Sequence, residues 1–578
     1  MSTNYFTQTL SSFGGLDRRV GSAPDFKLCP EMSNFKIDSL GRLKIREGLK
    51  RLSTLPEGEV PHLIWSGSNE GVNQILVSGN RKLYLLNRES NELRELGELE
   101  APMSTFVPFN GTVYGLNGKT MYRIGSDGSL TELDGYVPLV AVGCNYNGGG
   151  TKYENPNLLT DLRRVQFSTT PECSNYKLPE FEIAEITKVV YNGEETTEFT
   201  TNYELGIANL GFTPKSGINN LEVTYRSGTV SEERERVMGC TRGVIFANRL
   251  FFYGNPKDPT RLYHSSLADG IPGVDYVTET DYHVFDSEIT DLVPYFNRLM
   301  IFFKDSTSYT YAELATDQLG VTYTSFPVYT VSGTKGNRLT GKACSIDGTP
   351  VTFCPDGLNK WVSTAILDER NAECFSEPVF DFMGAYLKNG EKDPRPVFNR
   401  SLERELWICA ENEVMVYNYR NGVFYSYGIE GIRSAAELDT ELLLGKDDGG
   451  IYLFSEENAD DDGKPIEAVI TSPFLSFGTP FVAKNLDSLD VYTQNPEETE
   501  ISFTLTRGNG SESHSPETVL TAEDVREKGK TSRRLKSRLC LKRFMTCAFT
   551  LRSSSPRLCI SGLSLSGKLL VGKFGRLT

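Results

Sequence analysis

Short apolar runs alternate with turn signals every 8–12 residues along most of this chain, and the runs come in groups of four. Gln74–Ser78, Lys82–Asn87 and Glu92–Leu96 are three such runs, separated by Gly79-Asn80 and a polar turn, and His62–Trp65 supplies a fourth. The next stretch repeats the layout: Ser104–Phe109, Thr112–Leu116, Thr120–Ile124 and Ser129–Leu133. Its turns are Asn110-Gly111, Asn117-Gly118 and Ser126-Asp127-Gly128. Such turns supply the left-handed residues that tight hairpins need. No 15-residue stretch keeps the i, i+3, i+4, i+7 spacing of an amphipathic helix.

The four-run unit recurs. Ala247-Asn248-Arg249-Leu250-Phe251-Phe252 resembles Phe296-Asn297-Arg298-Leu299-Met300-Ile301, 49 residues on, and Phe109-Asn110-Gly111-Thr112-Val113 occupies the same place in its unit. Further units read Pro350–Cys354 with Lys360–Ser363, Glu405–Cys409 with Glu413–Asn418 and Val423–Tyr427, and Glu441–Gly445 with Gly450–Phe454. A period of ~40–50 residues with four strands per unit predicts a β-propeller of about seven blades, with six as the alternative. The expected fold class is therefore all-β. An extended segment occupies 1–54, the propeller 55–136 and 236–470, an inserted small β-sandwich 137–235, and a C-terminal β-sandwich with basic strands 471–578. In the insertion, Asn192-Gly193 predicts a hairpin and Pro214…Gly217 a turn before Leu221, Val223 and Tyr225. Gly143–Asn157 and Gly508–Ser532 read as loops.

Charge is divided unevenly. The chain carries a net −16, yet residues 526–578 hold 14 basic groups against Glu527 alone. The acidic body argues against nucleic-acid binding by charge. The basic run Arg533, Arg534, Lys536, Arg538, Lys542 and Arg543 is a candidate contact surface, for an acidic neighbouring subunit or for DNA phosphates; the acidic body of another copy is the favoured partner. A solvated strand face is the third reading.

Motifs for chemistry are weak, and no catalytic residue, metal site or cofactor is expected. The four histidines (62, 264, 283, 514) are isolated from one another and from cysteines, and the eleven cysteines form no C-x-x-C. Gly148-Gly149-Gly150-Thr151-Lys152 lacks the order and the helix of a phosphate loop. Asp460-Asp461-Asp462-Gly463 lacks calcium-loop spacing and reads as a solvated turn. Ser126-Asp127-Gly128 and Ser345-Ile346-Asp347-Gly348 lack the spacer of a sialidase Asp-box. The N-terminus has no signal-peptide layout, and no window approaches a membrane span. Cysteine usage fits synthesis in a reducing cytoplasm.

The first fifty residues carry the most specific pattern: Phe13-Gly14-Gly15-Leu16-Asp17, Leu28-Cys29-Pro30-Glu31-Met32-Ser33-Asn34-Phe35, Ile37-Asp38, Gly41, Leu43 and Arg46-Glu47-Gly48. This resembles the opening of bacteriophage tail nozzle, tail hub or stabilisation proteins, whose pattern is roughly F-x-G-G-L, L-P-x-x-x-x-x-N-F, D-x-x-G-x-L and R-x-G. Glu47 stands where proline is common, and Cys29 splits the Leu-Pro pair. The resemblance implies a non-enzymatic virion protein made in the host bacterial cytoplasm. It implies a self-assembled ring, often a homo-hexamer, touching other tail, connector or fibre proteins while DNA passes without sequence recognition. The alternatives are a receptor-binding or glycan-degrading propeller at the tail tip. The N-terminal segment is expected either to close the propeller ring by pairing with the last blade or to run along a neighbour.

Overall fold

A computed structural model describes residues 5–19, 27–228, 232–268, 270–316, 322–362, 372–494, 499–508, 518–521 and 533–570. Its elements are almost all strands, with two short α-helices, Glu232–Met238 and Phe380–Asn389, among the described residues.

Seven four-stranded antiparallel units follow one another among the described residues. Blades 1 and 2 span Leu63–Glu98 and Thr105–Glu132. Blades 3, 4 and 5 run from Arg242 to Val284, Ile289 to Ser332 and Cys344 to Cys374. Blade 6 runs from Val397 to Tyr427, and blade 7 from Ile432 to Ser455. Blade 7 takes its fourth strand from the N-terminal segment: Gly48–Thr54 pairs antiparallel with Gly450–Ser455. The first-to-second-strand turns recur as expected. Asn110-Gly111, Ala247-Asn248 and Asp347-Gly348 hold both central residues at positive φ, the I′ geometry that suits twisted strands.

Separate apolar cores prove the order of the wheel. Leu76, Leu83, Val113 and Ile124 join blades 1 and 2. Leu116, Met121, Leu250 and Phe252 join 2 and 3, and Phe251, Leu262, Leu299 and Ile301 join 3 and 4. Met300, Phe302 and Trp361 join 4 and 5. Val351, Phe353, Leu406, Trp407, Leu442 and Phe454 run through 5, 6 and 7. Ile64, Ile75, Leu443 and Ile451 then join 7 back to 1. Each blade thus buries its two faces against its neighbours, and the cycle has no open face.

The insertion between blades 2 and 3 forms a six-stranded and a three-stranded sheet around Val165, Phe167, Tyr176, Leu221, Val223 and Tyr225. Asn192 (φ 49°) and Gly193 (φ 84°) make its hairpin turn. The C-terminal sandwich has two sheets. One is built on Lys484–Thr493, Arg533–Phe544 and Cys559–Leu569. The other runs through Ala468–Thr471, Cys547–Ser553, Glu500–Arg507 and Thr518–Thr521, and continues without a break into blade 6.

Three boundaries differ from the sequence expectation. The N-terminal segment pairs with the last blade, the first of the two expectations, but its other strands complete further sheets: Tyr5–Leu10 and Leu43–Ile45 pair with Cys559–Leu569. Glu31–Ser33 bridges blade 6 to Ala468–Thr471. Strand Ala468–Thr471 therefore belongs to the C-terminal sandwich and not to the propeller. Within the expected loop Gly508–Ser532, Thr518–Thr521 is a strand paired with Glu500–Phe503, and most of the remainder lies outside the described residues.

Candidate interaction surfaces

The basic run of the C-terminus falls on the 12-residue strand Arg533–Phe544, the last strand of its sheet, which pairs with Lys484–Thr493. Strand alternation sorts its residues. Leu535, Leu539 and Leu541 enter the core, whereas Arg534, Lys536, Arg538, Cys540 and Lys542 face solvent. Arg543 is also exposed and sits at φ 53° at the strand end. Arg534 is neutralised by Asp490 at 2.9 Å. Lys536, Arg538, Lys542 and Arg543 have no carboxylate partner among the described residues. The structure therefore brings three of the six singled-out cations, Lys536, Arg538 and Lys542, to one strand face as free charges, with Arg543 exposed at the strand end; the Arg533 side chain lies outside the described residues.

Acidic groups gather on the outermost strand of blade 1 and its flanks. Glu89, Glu92, Glu95, Glu98 and Glu100 are all exposed there. Lys82 answers Glu95 at 2.8 Å, and Arg88 turns away to Glu441 at 3.0 Å. The rim keeps an excess of negative charge.

The N-terminal pattern explains itself residue by residue as a seam between propeller and C-terminal sandwich. Gly15 takes φ +88°, where a Cβ would lie 2.8 Å from the Phe424 carbonyl of blade 6. Asn34, at φ 58°, accepts from the Gly428 N–H (2.8 Å) and donates to the Glu467 carbonyl (2.8 Å), so one side chain ties the end of blade 6 to the next sheet. Asp38 accepts from the N–H groups of Leu40 and Arg42, both at 2.9 Å, which fixes the turn that Gly41 completes. The Arg46 guanidinium, almost wholly buried, grips Asp461 with both nitrogens (2.9 and 2.5 Å). Gly48 lies so close to the Asp460 carbonyl that a Cβ would approach to 2.1 Å.

Beneath this seam sits a buried ionic cluster. Lys36 donates to Glu47. Arg400 lies 3.8 Å from Glu47 and 3.6 Å from Glu405. Tyr425 and Trp407 donate to Glu405 at 2.6 and 2.9 Å. Burial pushes the Glu47 carboxyl up, but Lys36 and Arg400 outweigh it and hold the group down at about 2. Glu405 is raised, chiefly by burial. Sequence inspection missed this cluster and read Asp460–Asp462 as a solvated turn. In the fold, Asp461 is an anchor for Arg46. The Arg46-Glu47-Gly48 pattern marked one half of the contact, and nothing local marked Arg400 or Glu405.

The remaining chemical candidates fall in ordinary places. His62 contacts Asn80 at 2.7 Å. His264 is buried beside Asp281 at 3.8 Å, and burial lowers it. Burial lowers His283 as well, and His514 lies outside the described residues. Gly148, Gly149 and Gly150 all adopt positive φ before the two-residue strand Thr151–Lys152. Ser126–Gly128 and Asp347-Gly348 are turns. Among the described residues no group of three His, Cys, Asp or Glu side chains converges as a metal site would require, and no helix is long and apolar enough to cross a membrane. A groove of 820 Å³ beside Glu232–Met238 is lined by Lys119, Arg234, Glu235, Lys257 and Asp258, which mix both signs of charge.

No family model and no curated protein matches the chain. Among solved structures, it is similar to PorZ, a bacterial surface component of the type-IX secretion system of Porphyromonas gingivalis. The identity is 11% and the TM-score 0.33, covering 69% of this chain and 37% of PorZ, so the chain spans little more than a third of that structure's length. The Neurospora crassa Pan2 WD40 domain gives 7% identity and a TM-score of 0.32, covering 71% of this chain and 94% of that one. The Dos1 propeller gives 10% and 0.31, covering 72% and 97%. At such scores the fold assignment rests on the chain's own sheets and cores.

Proposed function

We propose that this chain is a non-enzymatic ring subunit of a bacteriophage tail, of nozzle or hub type, with DNA passing through the assembled ring unread. The observation that carries the reading is the N-terminal pattern, in order across residues 13–48. Its residues are also the ones that fix a second domain rigidly to a closed wheel, which is what a wall element under load requires. Charge supports assembly: the cations of Arg533–Phe544 complement the acidic rim of blade 1 on a neighbouring copy, a head-to-tail contact that closes into a ring when the rotation permits. An excess of negative charge in the body lets a DNA duplex slide past instead of binding. In this reading the copies form a homo-hexamer, contact connector and fibre proteins, and reside in the virion.

The test is electron microscopy of the purified chain and of tails that contain it. Closed rings of this chain around the DNA path are expected. A protein that stays monomeric at high concentration and is missing from particles overturns the reading.

A further inference from the structure

Four strands of the C-terminal sandwich reach the same end of their sheet. Lys484 begins Lys484–Thr493. It stands opposite Phe544, the last residue of Arg533–Phe544, on one side and Leu569, the last of Cys559–Leu569, on the other. Tyr5 begins Tyr5–Leu10 opposite Lys568. Next to this row in the chain lie Phe481, Met545 and Leu570, which are 91%, 43% and 37% exposed; Tyr5 is 64% exposed. Single exposed apolar side chains are ordinary, but several at one end of a sheet mark a contact surface.

This end is held rigidly. Lys484 is buried, and its ammonium donates to the carbonyls of Thr479 (2.5 Å), Val482 (2.7 Å) and Met545 (2.9 Å). One lysine thus ties the loop 476–483 to the turn after Phe544. The Leu570 N–H donates to the Ala483 carbonyl at 2.7 Å. Phe477 anchors the base of the loop against Phe6 and Phe544, with ring centroids at 4.7 and 6.0 Å. At its tip the Val482 N–H reaches the Thr479 carbonyl at 3.3 Å, which makes Pro480 and Phe481 the two central residues of a turn. Such positions favour proline first and a short polar residue or glycine second. Here a fixed loop holds a phenyl ring out in water.

The charge around it has one sign. Residues 5–7, 476–484, 542–547 and 566–570 contain Lys484, Lys542, Arg543 and Lys568 and no Asp or Glu. Lys568 lies 5.3 Å from the centre of the Tyr5 ring, with Asp487 at 3.9 Å. We infer that this end of the sandwich docks on an anionic lipid surface. Phe481, Met545 and Leu570 enter the boundary between headgroups and acyl chains, and Arg543 and Lys568 meet the lipid phosphates. Buried apolar area and attraction of cations to anionic headgroups are the two terms that hold a protein at a bilayer surface. A protein partner of standard size covers about 800 Å² per side and receives each projecting ring in a matched pocket. A few side chains on loop tips suit lipid better, because lipid closes around them without a matched pocket. The inference is independent of ring assembly and stands or falls separately from it.

The test is flotation of the full chain with vesicles of phosphatidylcholine alone and of phosphatidylcholine with phosphatidylglycerol. Binding is expected with the anionic vesicles and should fall as salt rises. Phe481→Ser should weaken it about tenfold, the low end for one buried aromatic side chain. Arg543→Glu should also weaken it about tenfold, since one charge is reversed beside the surface. Phe481→Trp should bind as the parent does, and the emission it adds to the parent spectrum should shift to the blue when anionic vesicles are mixed in. Circular dichroism melting checks that each variant is folded, and the Phe481→Trp signal serves if Phe481→Ser is not. Absence of flotation with the anionic vesicles, equal flotation with both kinds, or equal binding by parent and Phe481→Ser overturns the inference. So does added emission that is already blue without vesicles, as it would be if a second copy or another part of the chain covered the ring.

Discussion

Glu47 is fully enclosed between Lys36 and Arg400, with one carboxylate oxygen lacking a hydrogen-bond partner. Removing one member of such a cluster strands the other charges in a low-dielectric interior. Glu47→Gln should therefore lower unfolding stability by about 3–5 kcal/mol, read as a fall in the denaturant midpoint. Its carboxyl is held at about 2 against an ordinary 4.5. That stabilisation is complete above pH ~4.5 and fades as pH falls toward ~2. Melting temperature measured from pH 5 to pH 2.5 should drop more in the parent than in a Lys36→Met/Glu47→Met variant. At this scale the sequence was half legible. Arg46 and Gly48 announced themselves by pattern, as did Asn34 and Asp38, whereas Glu47 stood out only as a departure from it. Arg400 and Glu405 did not, because a charged residue in a strand looks the same whether it faces water or a buried counter-ion 350 residues away.

Among elements, strands declared themselves through alternation and turn dipeptides, and blades 1 and 2 were legible almost strand by strand. Gly48–Thr54 was harder: Lys50 and Arg51 are exposed, and the strand it pairs with, Gly450–Ser455, lies about 400 residues away. Loss of residues 5–54 would bare the third strand of blade 7 and remove strands from both sandwich sheets. That variant should aggregate, which light scattering would register. The basic strand makes a second prediction, about assembly instead of folding. Lys536→Glu/Arg538→Glu/Lys542→Glu sits wholly on the solvent face, so the melting temperature should hold while rings dissociate. Adding Glu92→Lys/Glu95→Lys/Glu98→Lys on blade 1 should restore them. Dissociation without rescue would place the docking partner of that strand elsewhere.

For the whole molecule, the period gave the wheel but left six blades open beside seven, and it gave nothing of the way the two domains are bound together. That arrangement arises from contacts of the longest sequence separation, Tyr5 opposite Lys568 among them, which leave no local trace. The proposed ring assembly by charge complementarity should weaken with salt. Light scattering on a sizing column should give a multiple of 64.4 kDa at low ionic strength and a smaller species near 1 M. Closure of blade 7 by an N-terminal strand also sets a clock on biosynthesis. About 400 residues separate Gly48–Thr54 from its partner, so at a ribosomal rate of ~5–20 residues per second that strand waits roughly 20–80 s with nothing to pair with. Nascent chains stalled before Gly450 should be digested readily by protease, and chains released beyond Leu569 should resist it. Throughout that wait, holding chaperones have an unpaired strand to guard, and the pace of translation becomes part of how this wheel is made.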